Sequence, residues 1–96
     1  MLKFEDLKFE PHEVAKALGT DGVMAEAHFQ NGYGVSVVRT QFTYGGREGL
    51  YELAVLRGDY ITTDTPVTSG VLGWLNEQDV TAHMEQVQLL PAVAVT

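Results

Sequence analysis

The residues with the richest potential chemistry lie in one stretch of the sequence, NGYGVSVVRTQFTYGGREG, from Asn31 to Gly49. Successive backbone N–H groups in a glycine turn can form an anion-binding concavity. Arginine can bind a phosphate through two parallel hydrogen bonds, and tyrosine rings can stack on a base. The stretch is therefore a candidate site for a small anionic nucleotide, with the candidate ligand-binding residues Tyr33, Arg39, Tyr44, Gly45, Gly46, Arg47 and Gly49.

A purely structural role for the same glycines stays open. The sequence around Gly45 and Gly46 lacks the G-x-x-x-x-G-K-[ST] pattern of a phosphate-binding P-loop. A long loop between two strands needs residues that tolerate a positive φ, and glycine does so without steric cost. The pattern alone favours this loop interpretation over a ligand site.

Serine, histidine and carboxylate side chains occur without the spacing that catalysis or metal binding requires. Neither serine lies in a G-x-S-x-G turn, and no two of the three histidines are four residues apart. Two carboxylates that shared a cleft could serve a small hydrolase, but solvated surface charges are the simpler interpretation. We therefore expect no catalytic residue, no metal site and no cofactor. The carboxylates in question are Glu48, Glu52, Asp59 and Asp64.

The charge balance is strongly acidic. The 96 residues include 13 Asp and Glu against 6 Lys and Arg, for a net charge of −7 at pH 7. Binding to a nucleic-acid backbone requires clustered basic side chains, so we expect no direct nucleic-acid binding. There is no cysteine, and no apolar run reaches the roughly 18 residues of a membrane span. These features predict a soluble cytoplasmic protein whose acidic surface can attract a basic partner.

The order of turns and apolar runs predicts a single domain of the α+β class. We expect a four-stranded, mainly antiparallel β-meander, a C-terminal α-helix packed on one face of the sheet, and a short N-terminal helix or arm. The parts of this domain, 1–96, are an arm and short helix (1–22), the meander (23–65), a connector and helix (66–90) and a tail (91–96).

Two local signals are strong. Asn31-Gly32 predicts a two-residue hairpin turn, because both residues tolerate a positive φ, and this turn would pair His28 with Val35. Asn76 and Asp79 have the types and spacing of a capping box at the start of the last helix.

The sequence holds more apolar residues than one sheet face and one helix would cover. In the predicted hairpin both faces are partly apolar, so one would cover the core and the other could be buried by the N-terminal arm or by a second subunit. We therefore expect a homo-oligomer, with the candidate interface residues Val35, Val37, Tyr60, Leu72 and Trp74.

Several segments resemble short bacteriophage-encoded proteins of unassigned function. They are DLKFEPH, GYGVSVVR, YELAVL and TDTPVTSGVLGWLNEQDVT, within a similarity that runs from about Asp6 to Leu90. The chain departs from that pattern at Gln30, where proline is expected, and at Ser69-Gly70, where an acidic pair is expected. The resemblance implies a phage gene product in the infected bacterial cytoplasm and implies no particular chemistry.

The expected function is non-enzymatic binding. A small acidic phage accessory protein of this kind would bind and block a host or anti-phage-defence protein. The alternative is a sponge that sequesters a small anionic nucleotide signal through the glycine-arginine stretch. A second alternative is a small carboxylate-dependent hydrolase.

Overall fold

A computed structural model, which describes residues 1–94, shows one antiparallel sheet with a long helix across one face. This confirms the α+β class and the C-terminal helix. Two 3₁₀ turns, Phe4–Asp6 and Gly46–Glu48, accompany the regular elements. These elements are β1 (Glu10–Pro11), α1 (Glu13–Ala17), β2 (Gly22–His28), β3 (Tyr33–Thr40), β4 (Tyr51–Arg57), β5 (Tyr60–Thr62), β6 (Val71–Leu75) and α2 (Glu77–Gln88).

The sheet has six strands rather than the predicted four. Strands β1 to β5 follow one another as a meander, and β6 returns to pair with β4. β5 and β6 lie along the same side of β4, because Thr62 pairs with Val55 and Val71 pairs with the adjacent Ala54. Residues 63–70 leave the sheet between these two pairs. The predicted connector therefore supplies part of an edge strand, which its interrupted apolar pattern did not indicate.

The β2–β3 hairpin differs from the prediction by one residue. It closes with a hydrogen bond of 2.8 Å from the Phe29 N–H to the Tyr33 carbonyl, which leaves a three-residue loop. The predicted partner of Val35 is therefore wrong, since Val35 pairs with Ala27 and not with His28. A shift of one residue exchanges the two faces of a strand, so it decides which side chains are buried.

Asn31 joins this hairpin to the end of α2. Its side-chain Nδ2 donates to the carbonyls of Val87, Gln88 and Leu90 at 2.8, 3.4 and 3.1 Å. These carbonyls lie at the end of α2 and just beyond it, where a helix leaves carbonyl groups without an intrahelical partner; the Val87 carbonyl also accepts the Leu90 N–H at 3.2 Å. Its Oδ1 accepts the Tyr33 N–H at 3.1 Å. Asn31 thus fixes the turn and the helix end together, and only the glycine that follows it takes a positive φ, of 88°.

The core lies between α2 and one face of the sheet. Val80, Met84 and Val87 face the sheet and are fully buried, as their spacing predicts. Val35 and Val37 are also fully buried. The prediction that these two valines form an interface is therefore wrong, because the observed register places them under the helix. The buried cluster consists of Val35, Val37, Tyr51, Leu53, Val55, Leu75, Val80, Met84 and Val87.

The two helices begin differently. The predicted capping box of α2 is confirmed: Asn76 Oδ1 accepts the Asp79 N–H at 2.8 Å, and Asp79 Oδ2 accepts the Asn76 N–H at 3.0 Å. The N-terminal helix is shorter than predicted, since α1 has five residues. Pro11 precedes it in β1, and His12 caps it by accepting the Ala15 N–H at 3.2 Å.

Both ends of the described chain are held near the end of α2. Gln88 Nε2 donates to the Leu2 carbonyl at 2.7 Å, and the Leu2 N–H donates to Gln88 Oε1 at 2.9 Å. The Val93 N–H donates to the Asn31 carbonyl at 2.8 Å. The predicted tail therefore contacts the hairpin, and its last two residues lie outside the described range.

Replacing Asn31 with Asp should destabilise the fold by about 2 kcal/mol or more. The carboxylate keeps the acceptor for the Tyr33 N–H but loses the donor for the helix carbonyls. It also puts a negative charge at the negative end of the helix dipole. Urea unfolding followed by circular dichroism measures the effect. Gln30→Glu, the same charge change at an exposed neighbour, should cost a few tenths of a kcal/mol at most; equal losses would contradict the helix-end role.

Candidate functional site

The β3–β4 loop, residues 41–50, forms a tight unit. Thr43 connects it to the end of β3, because its N–H and Oγ1 both donate to the Thr40 carbonyl, at 3.2 and 3.0 Å. The 3₁₀ turn Gly46–Glu48 follows, between the left-handed residues Gly45 (φ 85°) and Gly49 (φ 80°). The backbone therefore requires glycine at both of these positions, in agreement with the loop interpretation.

Most backbone N–H groups of the β3–β4 loop are bonded within the protein. The N–H groups of Gly46, Glu48 and Gly49 each donate to a carbonyl of the loop, at 3.0 to 3.1 Å. The Tyr44 N–H donates to the carboxylate of Glu52 at 3.0 Å. Because these four donors are already bonded, they do not contribute to the predicted anion-binding concavity.

Arg39 and Arg47 both line a cleft of about 470 Å³. The cleft, named here the arginine cleft, lies where β2 begins and β3 ends. Arg39 Nη1 donates to the Tyr51 hydroxyl at 3.1 Å, and its guanidinium carbon lies 5.1 Å from the centroid of that ring. The walls are residues 19–23, 39–41 and 46–47. The first of these segments is distant in sequence and was not predicted.

The other predicted ligand-binding residues lie outside the arginine cleft. Tyr33 begins β3 and packs against the core, roughly 20 Å along the strand from Arg39. Tyr44 and Gly45 lie against β6. Gly49 has open space around it. Of the predicted set, the cleft therefore contains the two arginines and Gly46.

Gly45 is a contact point between the loop and β6. A Cβ at this position would lie 3.0 Å from both Leu50 Cβ and Trp74 Cα. A Cβ at Gly73 would lie 2.5 Å from Tyr44 Cβ. The Trp74 N–H also donates to the Tyr44 carbonyl at 3.2 Å. These two glycines let the loop and the strand meet closely, and this brings Tyr44 and Trp74 together.

Trp74 has an unusual backbone conformation. Its φ is 58°, and no other non-glycine residue in the described range has a positive φ. It lies in a β-bulge, where the register with β4 shifts between Leu72 and Leu75. A bulky side chain in the left-handed region is disfavoured, and such strain is found most often at functional positions. The side chain nevertheless stays 56% exposed.

Exposed apolar side chains concentrate on the same edge of the sheet. Within residues 1–94 no strand pairs with the outer side of β5 or β6. Tyr60, Ile61 and Val71 on these strands are 81, 60 and 44% exposed. We name this sheet edge the edge patch; it comprises Tyr44, Tyr60, Ile61, Val71 and Trp74. By their pairing with β4, Tyr60 projects from the α2 face of this edge, and Ile61 and Val71 project from the opposite face.

The predicted interface residues divide between this patch and the core. Tyr60 and Trp74 belong to the edge patch, whereas Leu72 packs half-buried against the core cluster. Ile61 and Val71 were missed. Each pairs across the sheet with a β4 residue whose side chain points away from α2. For Val71, this placement depends on strand β6, which was not predicted.

The four candidate carboxylates do not gather in one site. Glu48 precedes β4 and Asp59 follows it, so roughly 20 Å of strand separates them. Glu52 is held by the Tyr44 N–H, and Asp64 lies in the segment between β5 and β6. In the described part of the chain, no three His, Asp or Glu side chains lie close enough to hold a metal ion.

Replacing Gly45 with Ala should destabilise the fold by about 2 kcal/mol more than replacing Gly49 with Ala. Both glycines have a positive φ, so backbone strain should lower the free energy of unfolding of both variants by about 1 kcal/mol. Only the Cβ at position 45 would meet Leu50 and Trp74. Chemical unfolding of the two variants measures the difference, and equal losses would show that the loop and β6 are not packed closely.

None of the helices in residues 1–94 is long and apolar enough to cross a membrane. No family model, curated protein or solved structure matches the chain.

Proposed function

We propose that this protein is a non-enzymatic binding protein that engages and blocks a partner protein through the edge patch. The observation that carries the proposal is the exposure of five apolar side chains, two tyrosines and a tryptophan among them, along one sheet edge. Exposed apolar clusters of this kind mark interaction surfaces. Tryptophan and tyrosine are also enriched among the residues that contribute most to binding energy.

The strained backbone of Trp74 supports the same surface. Glycine or asparagine would take a φ of 58° at lower cost, so packing of the fold does not by itself explain a tryptophan there. The bulge presents the indole beside Tyr44, and both rings stay more than half exposed. A rigidly presented pair of aromatic rings is suited to act as the anchor of an interface, because little conformational freedom is lost on binding.

Charge around the patch defines the chemistry of the partner. Between residues 51 and 75 the acidic side chains are Glu52, Asp59 and Asp64, and the basic one is Arg57. A partner surface with an apolar centre and a basic rim complements this arrangement and would associate faster at low salt. A second copy of the chain is a poorer fit, because each copy carries a net charge of −7.

The resemblance to phage-encoded proteins supports the biological setting of the proposal. The partner would be a host or anti-phage-defence protein of the bacterial cytoplasm, and binding would block its active surface. The sequence also predicted a homo-oligomer; a second copy of the chain would compete with the partner protein for the edge patch.

Ile61→Asp and Trp74→Gly should each weaken binding of the partner tenfold or more, since truncation of a central anchor costs about 2 kcal/mol. The partner would be isolated from bacterial lysate on the immobilised wild-type protein, purified and titrated against each variant. Trp74→Gly should keep the free energy of unfolding within about 1 kcal/mol, because glycine relieves the strained φ. Val14→Asp is the matched control, as Val14 is 62% exposed on α1 and Ile61 is 60% exposed on β5.

The proposal requires three results together: binding lost in the patch variants, kept in Val14→Asp, and accompanied by inhibition of the purified partner. Retention of the same protein by the patch variants would contradict it. A solution mass of two chains that falls to one in Ile61→Asp would show that a second copy occupies the patch instead. Release of a hydrolysis product, lost in Glu52→Gln, would contradict the non-enzymatic assignment.

A further inference from the structure

The arginine cleft is a second feature that protein binding through the edge patch does not use. No residue of the edge patch lines it. Arg39 leaves the end of β3, Arg47 comes from the β3–β4 loop, and the turn between α1 and β2 closes the opposite side. Val23 pairs with Arg39 across the sheet, so the β2–β3 register fixes this side of the cleft.

Arg39 and Arg47 make no ion pair with a carboxylate within residues 1–94. The chain has 13 acidic side chains, yet the only ion-pair contact within residues 1–94 joins His28 to Glu26. Two of the three arginines thus converge on one cleft without a carboxylate contact. In an acidic protein, two such guanidinium groups form a local positive site that attracts anions.

Arg39 is also held in place before any ligand arrives. Its Nη1 bonds to the Tyr51 hydroxyl, and the ring of this buried tyrosine lies beneath the guanidinium. A guanidinium has five N–H donors, so most of them remain for a ligand. A pre-positioned arginine loses less conformational entropy on binding than a free one.

We propose that the arginine cleft binds a small molecule with one phosphate group and a neighbouring hydroxyl or amino group, such as a nucleoside monophosphate. The phosphate is bound by the guanidinium groups of Arg39 and Arg47, which match its oxygens bidentately. The volume of about 470 Å³ lies in the range of small-molecule sites.

Asp21 selects for the second part of the ligand. Asp21 lines the same cleft, where its carboxylate would accept a hydrogen bond from a hydroxyl or amino group and repel a second phosphate. The N–H groups of Gly19 and Thr20 already donate to carbonyls of their own turn, at 3.0 and 2.9 Å, so they do not take part in recognition. Asp21 is the acidic residue among those that line the cleft.

The test is a titration of the ¹⁵N-labelled full chain with adenosine monophosphate, inorganic phosphate and adenosine, at ionic strength matched with sodium chloride. Adenosine monophosphate should produce saturable shifts in the amides of residues 19–23 and 46–47. Inorganic phosphate should bind the same site more weakly, and adenosine should not bind.

Arg47→Gln should weaken binding of adenosine monophosphate at least tenfold. Arg57→Gln is the matched control, because it removes the same charge outside the cleft and should leave the affinity unchanged. Asp21→Asn should strengthen inorganic phosphate severalfold and reduce the preference for adenosine monophosphate over phosphate. Failure of both phosphate ligands to shift these amides, or equal weakening by the two arginine variants, would overturn the proposal.

The two proposals fail separately. Arg47→Gln leaves the edge patch intact and should retain the protein partner. Ile61→Asp leaves the cleft intact and should retain adenosine monophosphate.

Discussion

One side-chain amide, that of Asn31, connects the parts of the chain on which the rest of the structure depends. Carbonyl groups at a helix end must find partners or remain exposed to water, and this amide bonds to three of them while also closing the β2–β3 turn. The helix end can therefore occupy only one position over the hairpin. That position goes with the register that buries Val35 and Val37 beneath α2.

The β3–β4 loop has two sides with different consequences. Arg47 faces the turn before β2, and Gly45 packs against Trp74 on β6. A single loop thus positions both the arginine cleft and the aromatic end of the edge patch. The tightness of the loop matters to both surfaces, because a displacement of its backbone would move the guanidinium and the indole at once.

The sequence predicts best what depends on neighbouring residues. The capping box at Asn76 and the apolar stripe of α2 are local patterns, and both were predicted correctly. The register of the hairpin was not, because Asn31 bonds to residues more than fifty positions away. Strand β6 was missed because its residues show no alternation and become a strand only by pairing with β4.

The same contrast between local patterns and long-range contacts applies to the candidate sites. Arg39, Gly46 and Arg47 lie near one another in sequence, so their common cleft could be predicted. The turn that carries Asp21 could not, since only the pairing of β2 with β3 brings it there. Ile61 and Val71 form a patch only because two short strands share one side of β4.

Residues 63–70, which leave the sheet between β5 and β6, can change in length without altering the pairing of the strands. The segment follows Thr62, which pairs with Val55 of β4, and precedes Val71, which pairs with the adjacent Ala54. Its two ends are therefore fixed next to each other whatever its length. Val67 is its apolar contact with the core. Insertions elsewhere in the segment would enlarge or reshape the border of the edge patch without shifting a single strand pair. Related chains could therefore change the shape and chemistry of this edge while keeping the same fold.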